Sequence, residues 1–351
     1  MVTHVVFLTS GLLSYNKENY KWWLRFAFAF LFLFSALRYG FGNDYFSYYY
    51  QYQKIQNGGK SSFDGEIGFE WLMQNMPSFQ ILIAIVSALS LFALYKLIVH
   101  NTTVGYCGIA VTILLINPYL FLMSLSAIRQ TIAMTFFIGA TYFSFKRKLV
   151  PYVLTIFLAT LFHSSAIILL PFYFIANDKK IGKLFLIVYI AIFCVLLLNS
   201  ATLNMLVEAV LTKLDNKQYS YYFDEGLTNS LRATILSAGF LMYVLLNLPF
   251  LQGKAIMYAK LYLVGITCGV LAYRLSMLTR IQQYFDIFSI VAIPSIMKNN
   301  RDNPSQNPLL FAVNGYLFPA LMFIIYGLRY YSFFTNPMWE RFFTYSTFLG
   351  A

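Results

Sequence analysis

Residues 149–176 read "LVPYVLTIFLATLFHSSAIILLPFYFIA", and the number of times this stretch crosses an apolar layer decides the course of everything after it. At about 1.5 Å per residue, one upright helix of this length overshoots the ~30 Å hydrocarbon core of a bilayer. Two full spans of about 20 residues each would need more chain than is present. The centre of the stretch is a polar break, His163-Ser164-Ser165. Two short passes that meet at this break satisfy both limits, and the spacing predicts that arrangement.

The rest of the chain is of the same kind. Of its 351 residues 59% are hydrophobic and 11% charged, with a mean hydropathy of +0.64, whereas a soluble domain is about a quarter charged. This composition predicts an all-α polytopic membrane protein, with one integral membrane domain over 1–351 and no sizeable soluble domain. Apolar runs at 2–14, 22–37, 79–99, 104–121, 124–145, 181–199, 231–250, 255–273, 281–297 and 309–329 join the two short passes. Together they give 11 or 12 transmembrane or re-entrant segments. The start, "MVTHVVFLTSGLLSYNK", has no basic n-region or clear cleavage site and reads as a short first span, not a cleaved signal peptide. The formal charge of +12 does not predict nucleic-acid binding, because the basic residues stand singly between apolar runs. Three cysteines without motif spacing and three scattered histidines predict no disulfide framework, no metal site and no cofactor.

Basic residues assign the sides. If the loop holding Lys17, Lys21 and Arg25 is cytoplasmic, the two-pass reading also puts Lys96, Lys146, Arg147, Lys148, Lys179, Lys180, Lys183, Lys254, Lys260, Lys298 and Arg301 inside. That is 14 of 25 basic residues against three acids, Glu18, Asp178 and Asp302. A single pass over 149–176 gives the same 14-to-11 split, so the count does not choose. The compact lysine clusters stay on one face only with two passes. Two polar loops, 38–78 and 200–230, then share the outer face.

On that face the out-of-place charges gather. Arg38 ends the second span and Asp44 follows in "RYGFGNDYFSYYYQYQ" (38–53), with Tyr45 and Tyr48 behind it. Arg129 lies in "LSAIRQTIAM", His163 at the break, Arg232 in "NSLRATILSAGF", and Arg274 and Arg280 bracket "RLSMLTR", with Asp286 beyond. Charges at span ends snorkel, pair or serve a function. Converging guanidinium groups suit a phosphorylated, membrane-embedded ligand, since they bind phosphate oxygens bidentately and keep their charge. Each residue also has an ordinary reading. Arg232 reads as a snorkelling helix end, and Arg129 as half of a structural pair. Arg274 and Arg280 would be interfacial anchors, and His163 a hydrogen-bonded break residue. Asp44 would be a helix cap or the ion-pair partner of Arg38, and the tyrosines an aromatic belt.

The ordered set "LRYGFGNDYFSYY", "DGEIGFEWL", "SAIRQTIAM", "LATLFHSSAIILLP" and "RLSMLTRIQQYFDIFSIVAIP" resembles the EpsG family of Wzy-like polysaccharide polymerases, from the second span to about residue 297. Asn43 stands where that family commonly has threonine or serine. The resemblance implies a GT-C-like helical glycosyltransferase of the bacterial cytoplasmic (inner) membrane. Such an enzyme joins undecaprenyl-diphosphate-linked oligosaccharide repeat units on the outer face, in O-antigen, capsule or exopolysaccharide synthesis. It implies membrane lipid, a chain-length regulator and a flippase as candidate partners.

The residue inventory suits that chemistry. Diphosphate is a good leaving group, so the protein must neutralise it, orient a hydroxyl and accept one proton. Arg38, Arg129, Arg274 and Arg280 are the candidates for diphosphate, and His163 or Asp44 for the proton. Glu66, Glu70, Tyr45 and Tyr48 are the candidates for acceptor sugar. No D-x-D cluster is present to hold a metal, and a metal-independent enzyme is expected. The alternatives are a transporter, which would need charges at the midplane and a repeat between halves, and an O-antigen ligase, which would share the donor.

Overall fold

A computed structural model describes residues 18–63, 65–199, 202, 205, 231–275, 277–303 and 308–350. The predicted span 2–14 and nearly all of the predicted loop 200–230 lie outside these residues. The described chain is an all-α bundle whose strands are two residues each, β1 (Arg38–Tyr39) and β2 (Ser346–Thr347), paired antiparallel.

The chain enters through α1 (Tyr20–Leu37), which stops because Arg38 turns extended and Gly40 and Gly42 follow with positive φ. Short helices α2 (Tyr45–Gln56) and α3 (Ile67–Asn75) fill the loop before α4 (Phe79–Asn101), whose first turn is capped by Ser78 accepting from the Ile81 N–H. Then come α5 (Cys107–Ile116), α6 (Phe121–Ser126), α7 (Ile128–Phe145) and α8 (Leu149–Thr160). They are followed by a 3₁₀ segment (Ser164–Phe174), α9 (Lys183–Leu198), α10 (Leu231–Asn247), α11 (Gly253–Leu271), α12 (Leu278–Asp286) and α13 (Ser289–Asp302). The last elements are α14 (Pro308–Ala312), a π-turn (Val313–Leu317), α15 (Phe318–Thr335), a 3₁₀ turn (Pro337–Phe342) and β2.

Five of these helices are long and apolar enough to cross a membrane: Tyr20–Leu37, Phe79–Asn101, Ala233–Phe250, Gly253–Leu271 and Val313–Thr335. Two predicted spans are each broken into two helices. The run 124–145 is divided at Ala127, which leaves helical geometry, and 281–297 is divided at Ile287-Phe288. The run 104–121 ends as a helix at Ile116, before Asn117-Pro118, where the proline ring disfavours helix in the residue ahead of it.

The decisive stretch 149–176 does make two short passes. His163 is extended between α8 and the 3₁₀ segment, and Pro171 within the latter has no N–H to donate. Polar contacts show which termini share an end of the bundle. At one end Gln80 donates to the carbonyl of Ala36, Gly68 N–H to that of Leu161, Arg274 to that of Leu197, and Gly42 N–H to that of Arg341. At the other end Arg147 pairs with Asp178 at 2.8 Å, Lys254 donates to Asn101 and Lys260 to Asn177. The chain thus returns to the first end at His163.

The central post is α11. Of its apolar window 72% is buried, against 39–44% for α1, α4 and α10. Lipid is as apolar as leucine, so small residues and polar contacts carry the helix packing. Gly265 and Gly269 let α12 approach closely, since a Cβ on Gly265 would meet Asp286 Oδ1 at 2.8 Å and one on Gly269 the Gln282 side chain at 2.8 Å. Leu89, Phe92, Leu154, Phe157 and Ile187 remain outward, as a lipid-facing surface requires.

Candidate active site

Glu66 is the residue around which the site assembles. It is buried, in a stretch of chain that had been expected to form a polar outer loop. Gly65, at φ +78, turns the chain into α3, a conformation that favours glycine. Gly68 and Phe69 N–H groups both donate to the Leu161 carbonyl, at 2.9 and 3.3 Å. This docks the loop on the end of α8, just ahead of the His163 break. The Glu66 carboxylate then accepts from three donors. Arg129 Nη1 reaches Oε2 at 2.5 Å, His163 Nδ1 reaches Oε1 at 2.9 Å, and the Ser164 N–H reaches Oε1 at 3.2 Å.

An ionised carboxylate only accepts hydrogen bonds, so the proton between His163 and Glu66 sits on Nδ1. Nε2 is the ring nitrogen that Glu66 leaves unengaged. Burial pushes the Glu66 carboxyl up, but the hydrogen bond from His163 and the Arg129 charge outweigh it and hold the group below its ordinary range. Arg129 is itself held. Its Nε donates to Tyr48 Oη at 3.3 Å, and its guanidinium lies 4.1 Å from the Phe63 ring centre.

The other predicted residues fall at graded removes. Asp44 is exposed at the start of α2, where its side chain makes no capping bond. Its Oδ2 accepts from Ser126 Oγ at 3.0 Å, three residues before Arg129. The expected Arg38–Asp44 ion pair is not formed. Arg38 is instead buried and donates to the carbonyls of Ser35 and Leu125, each at 3.0 Å, neutralising the C-terminal ends of α1 and α6. Tyr45 and Tyr48 are buried as well, edge-on to Phe79 and Phe69, and the outward ring of that bank is Tyr50. Glu70 is half-buried one turn after Glu66. Arg274 and Arg280 are exposed. Arg274 donates to the Leu197 carbonyl at 2.9 Å, while the Arg280 carbonyl accepts from Gln130 at 2.9 Å, beside Arg129.

Three contributing residues, Ser126, Gln130 and Tyr284, are not among the sequence candidates. Together with Ser165 of the polar break, whose hydroxyl lies 3.0 Å from that of Tyr284, they tie α2, α12 and the break together. On the far face of α12 a polar cavity is lined by Asn117, Ser237, Tyr262, Gln282, Asp286 and Arg329. Arg329 is legible as a charge within an apolar helix, but it lies in the C-terminal segment, beyond the ordered motifs.

The arrangement gathers an imidazole, the carboxylate that holds it and arginines at one end of a membrane bundle. Against known proteins, the sequence matches the EpsG family over residues 21–347, nearly the whole chain, and the chain belongs to that family. This makes it a Wzy-like polymerase with glycosyltransferase-type chemistry. No curated protein and no solved structure matches it.

Proposed function

We propose, from its membership of the EpsG family, that this protein elongates a polysaccharide by joining undecaprenyl-diphosphate-linked oligosaccharide units at the outer face of the cytoplasmic membrane. The observation that carries the reading is the shared Glu66 carboxylate, which fixes the tautomer of His163. His163 Nε2 takes the proton from an acceptor sugar hydroxyl. The hydroxyl oxygen forms a bond to the anomeric carbon of the donor chain as the bond from that carbon to diphosphate breaks. The diphosphate leaves on its lipid, its charge met by the exposed Arg274 and Arg280. Arg129, already engaged by Glu66, is a positioning residue. Asp44, held by Ser126, orients the acceptor.

Charge supports this side. Lys146, Lys148, Lys179 and Lys254 lie toward the end opposite His163, and lysine-rich ends favour the cytoplasm. The chemistry needs no metal, since the guanidinium groups supply the positive charge. Purified protein given an undecaprenyl-diphosphate repeat unit with EDTA present is expected to produce a ladder of products resolved by size. His163→Ala, equally folded, is expected to slow laddering by ~10²–10⁴-fold, the usual contribution of a general base. Wild-type laddering by that variant would remove His163 from the mechanism, and no ladder from the wild type would remove the polymerase assignment.

A further inference from the structure

At the end of the bundle opposite His163, two basic turns are tied side by side. One is Lys146-Arg147-Lys148 between α7 and α8, where Arg147 has a φ of +57. The other, Asp178-Lys179-Lys180, follows the 3₁₀ segment. Arg147 Nη2 meets Asp178 Oδ1 across them at 2.8 Å. Ser144 Oγ, in the last turn of α7, lies 2.8 Å from the Tyr173 carbonyl oxygen and 2.7 Å from that of Ala176. The second turn is also held from within the bundle. Asn177 Oδ1 accepts from the Lys179 N–H and from Nζ of the buried Lys260, both at 2.9 Å, and Lys260 donates to the Lys179 carbonyl at 3.2 Å. The two turns are therefore pinned to one another.

The charge on them is one-sided. Their single acid, Asp178, is engaged by Arg147. Lys146, Lys148, Lys179 and Lys180 are exposed, and none of them enters an ion pair among the described residues. Like charges held this close repel one another unless an anion lies among them. Orienting a chain in a membrane needs lysines at one end, but not on two pinned turns. Just inside the turns the surface becomes apolar. Leu149 and Val150 begin α8, Phe174 ends the 3₁₀ segment, and all three are exposed, while the two elements pack on one another. Cations at the headgroup level above exposed apolar side chains are complementary to an anionic phospholipid. Two unpaired lysines on each of two turns suit two phosphates.

We propose that this surface binds a phospholipid carrying two phosphates, of the cardiolipin type, with one phosphate at each turn and acyl chains against Leu149, Val150 and Phe174. The site lies in the leaflet opposite Glu66 and is separate from the polysaccharide reaction.

The test is native mass spectrometry of the full chain released from detergent micelles, with cardiolipin as the probe and phosphatidylglycerol, which has one phosphate, as competitor. The deciding variant is Lys148→Gln with Lys179→Gln, one exposed lysine from each turn. Its charge-matched control is Lys21→Gln with Lys96→Gln, which removes two exposed lysines elsewhere at the same end. Melting temperature is checked for both. The wild type and the control are expected to retain cardiolipin against a tenfold excess of phosphatidylglycerol. The deciding variant is expected to lose about tenfold or more in retention, as two lysines near a phosphate surface should give. Wild-type retention by that variant would overturn the site. An equal loss in the control would reduce it to diffuse attraction and overturn it as well. Full displacement by phosphatidylglycerol would overturn the assignment of two phosphates.

Discussion

Glu66 is where a single atom group decides most. Its carboxyl is held below the ordinary carboxylate range by the His163 hydrogen bond and the Arg129 charge, against the opposing push of burial. A depressed folded value means that the group's contribution to stability is fully present above its unfolded pKa of about 4.3 and is lost as pH falls through the folded value. Acidification from about pH 6 to about pH 3 is therefore expected to lower the melting temperature of the wild type more steeply than that of Glu66→Gln, which cannot titrate. Parallel curves would mean that the three donors do not stabilise the ionised form. The sequence marks both Glu66 and His163 as candidates, but in separate roles. Ninety-seven residues apart, nothing in local pattern could make them partners. Arg38 fared the other way. Its charge at a span end was plain, while its carbonyl partners Ser35 and Leu125 depend on how α6 returns to α1.

Among elements, the joint between α3 and the end of α8 is the one on which the site depends. Gly68 makes it possible, because a Cβ there would lie 3.0 Å from the Leu161 carbonyl oxygen and 2.9 Å from Leu161 Cβ. Gly68→Ala is expected to lift the loop, costing ~1–3 kcal/mol by overpacking and carrying Glu66 off His163. Gly239→Ala, where nothing lies within 4 Å, is the matched control. Equal melting temperatures and equal ladders for the two variants would show that the joint tolerates displacement. The apolar runs that became α1, α4, α9, α10 and α11 were legible because length and hydropathy alone define a span. Those that split at Ala127 and at Ile287-Phe288 were not. Their breaks answer to packing, Ala127 allowing Ser126 to meet Asp44 while Arg129 meets Glu66.

For the whole molecule, the proposed orientation puts the His163 end outside. Cysteines introduced at Ser164 and Ser165, in a background lacking Cys107, Cys194 and Cys268, are expected to react with an impermeant thiol reagent applied to intact cells. One at Lys148 is expected to react only after the membrane is opened. Reaction of the Lys148 site from outside would invert the proposed orientation. The sequence by itself determined the class, because a chain with 11% charged residues and 59% hydrophobic ones cannot leave its helices in water. It also determined the break at His163, because a polar triplet between two short apolar runs has no favourable place inside a bilayer, and the ordered motifs carried the family. Only the tertiary structure decided which charges meet. The 14-to-11 basic split is the same for one pass or two, whereas the return of the chain at His163 brings α3, α7 and α8 to one end. There Glu66 gains three donors, and the low dielectric of the packed helices gives each of those pairings the strength to hold the others in place.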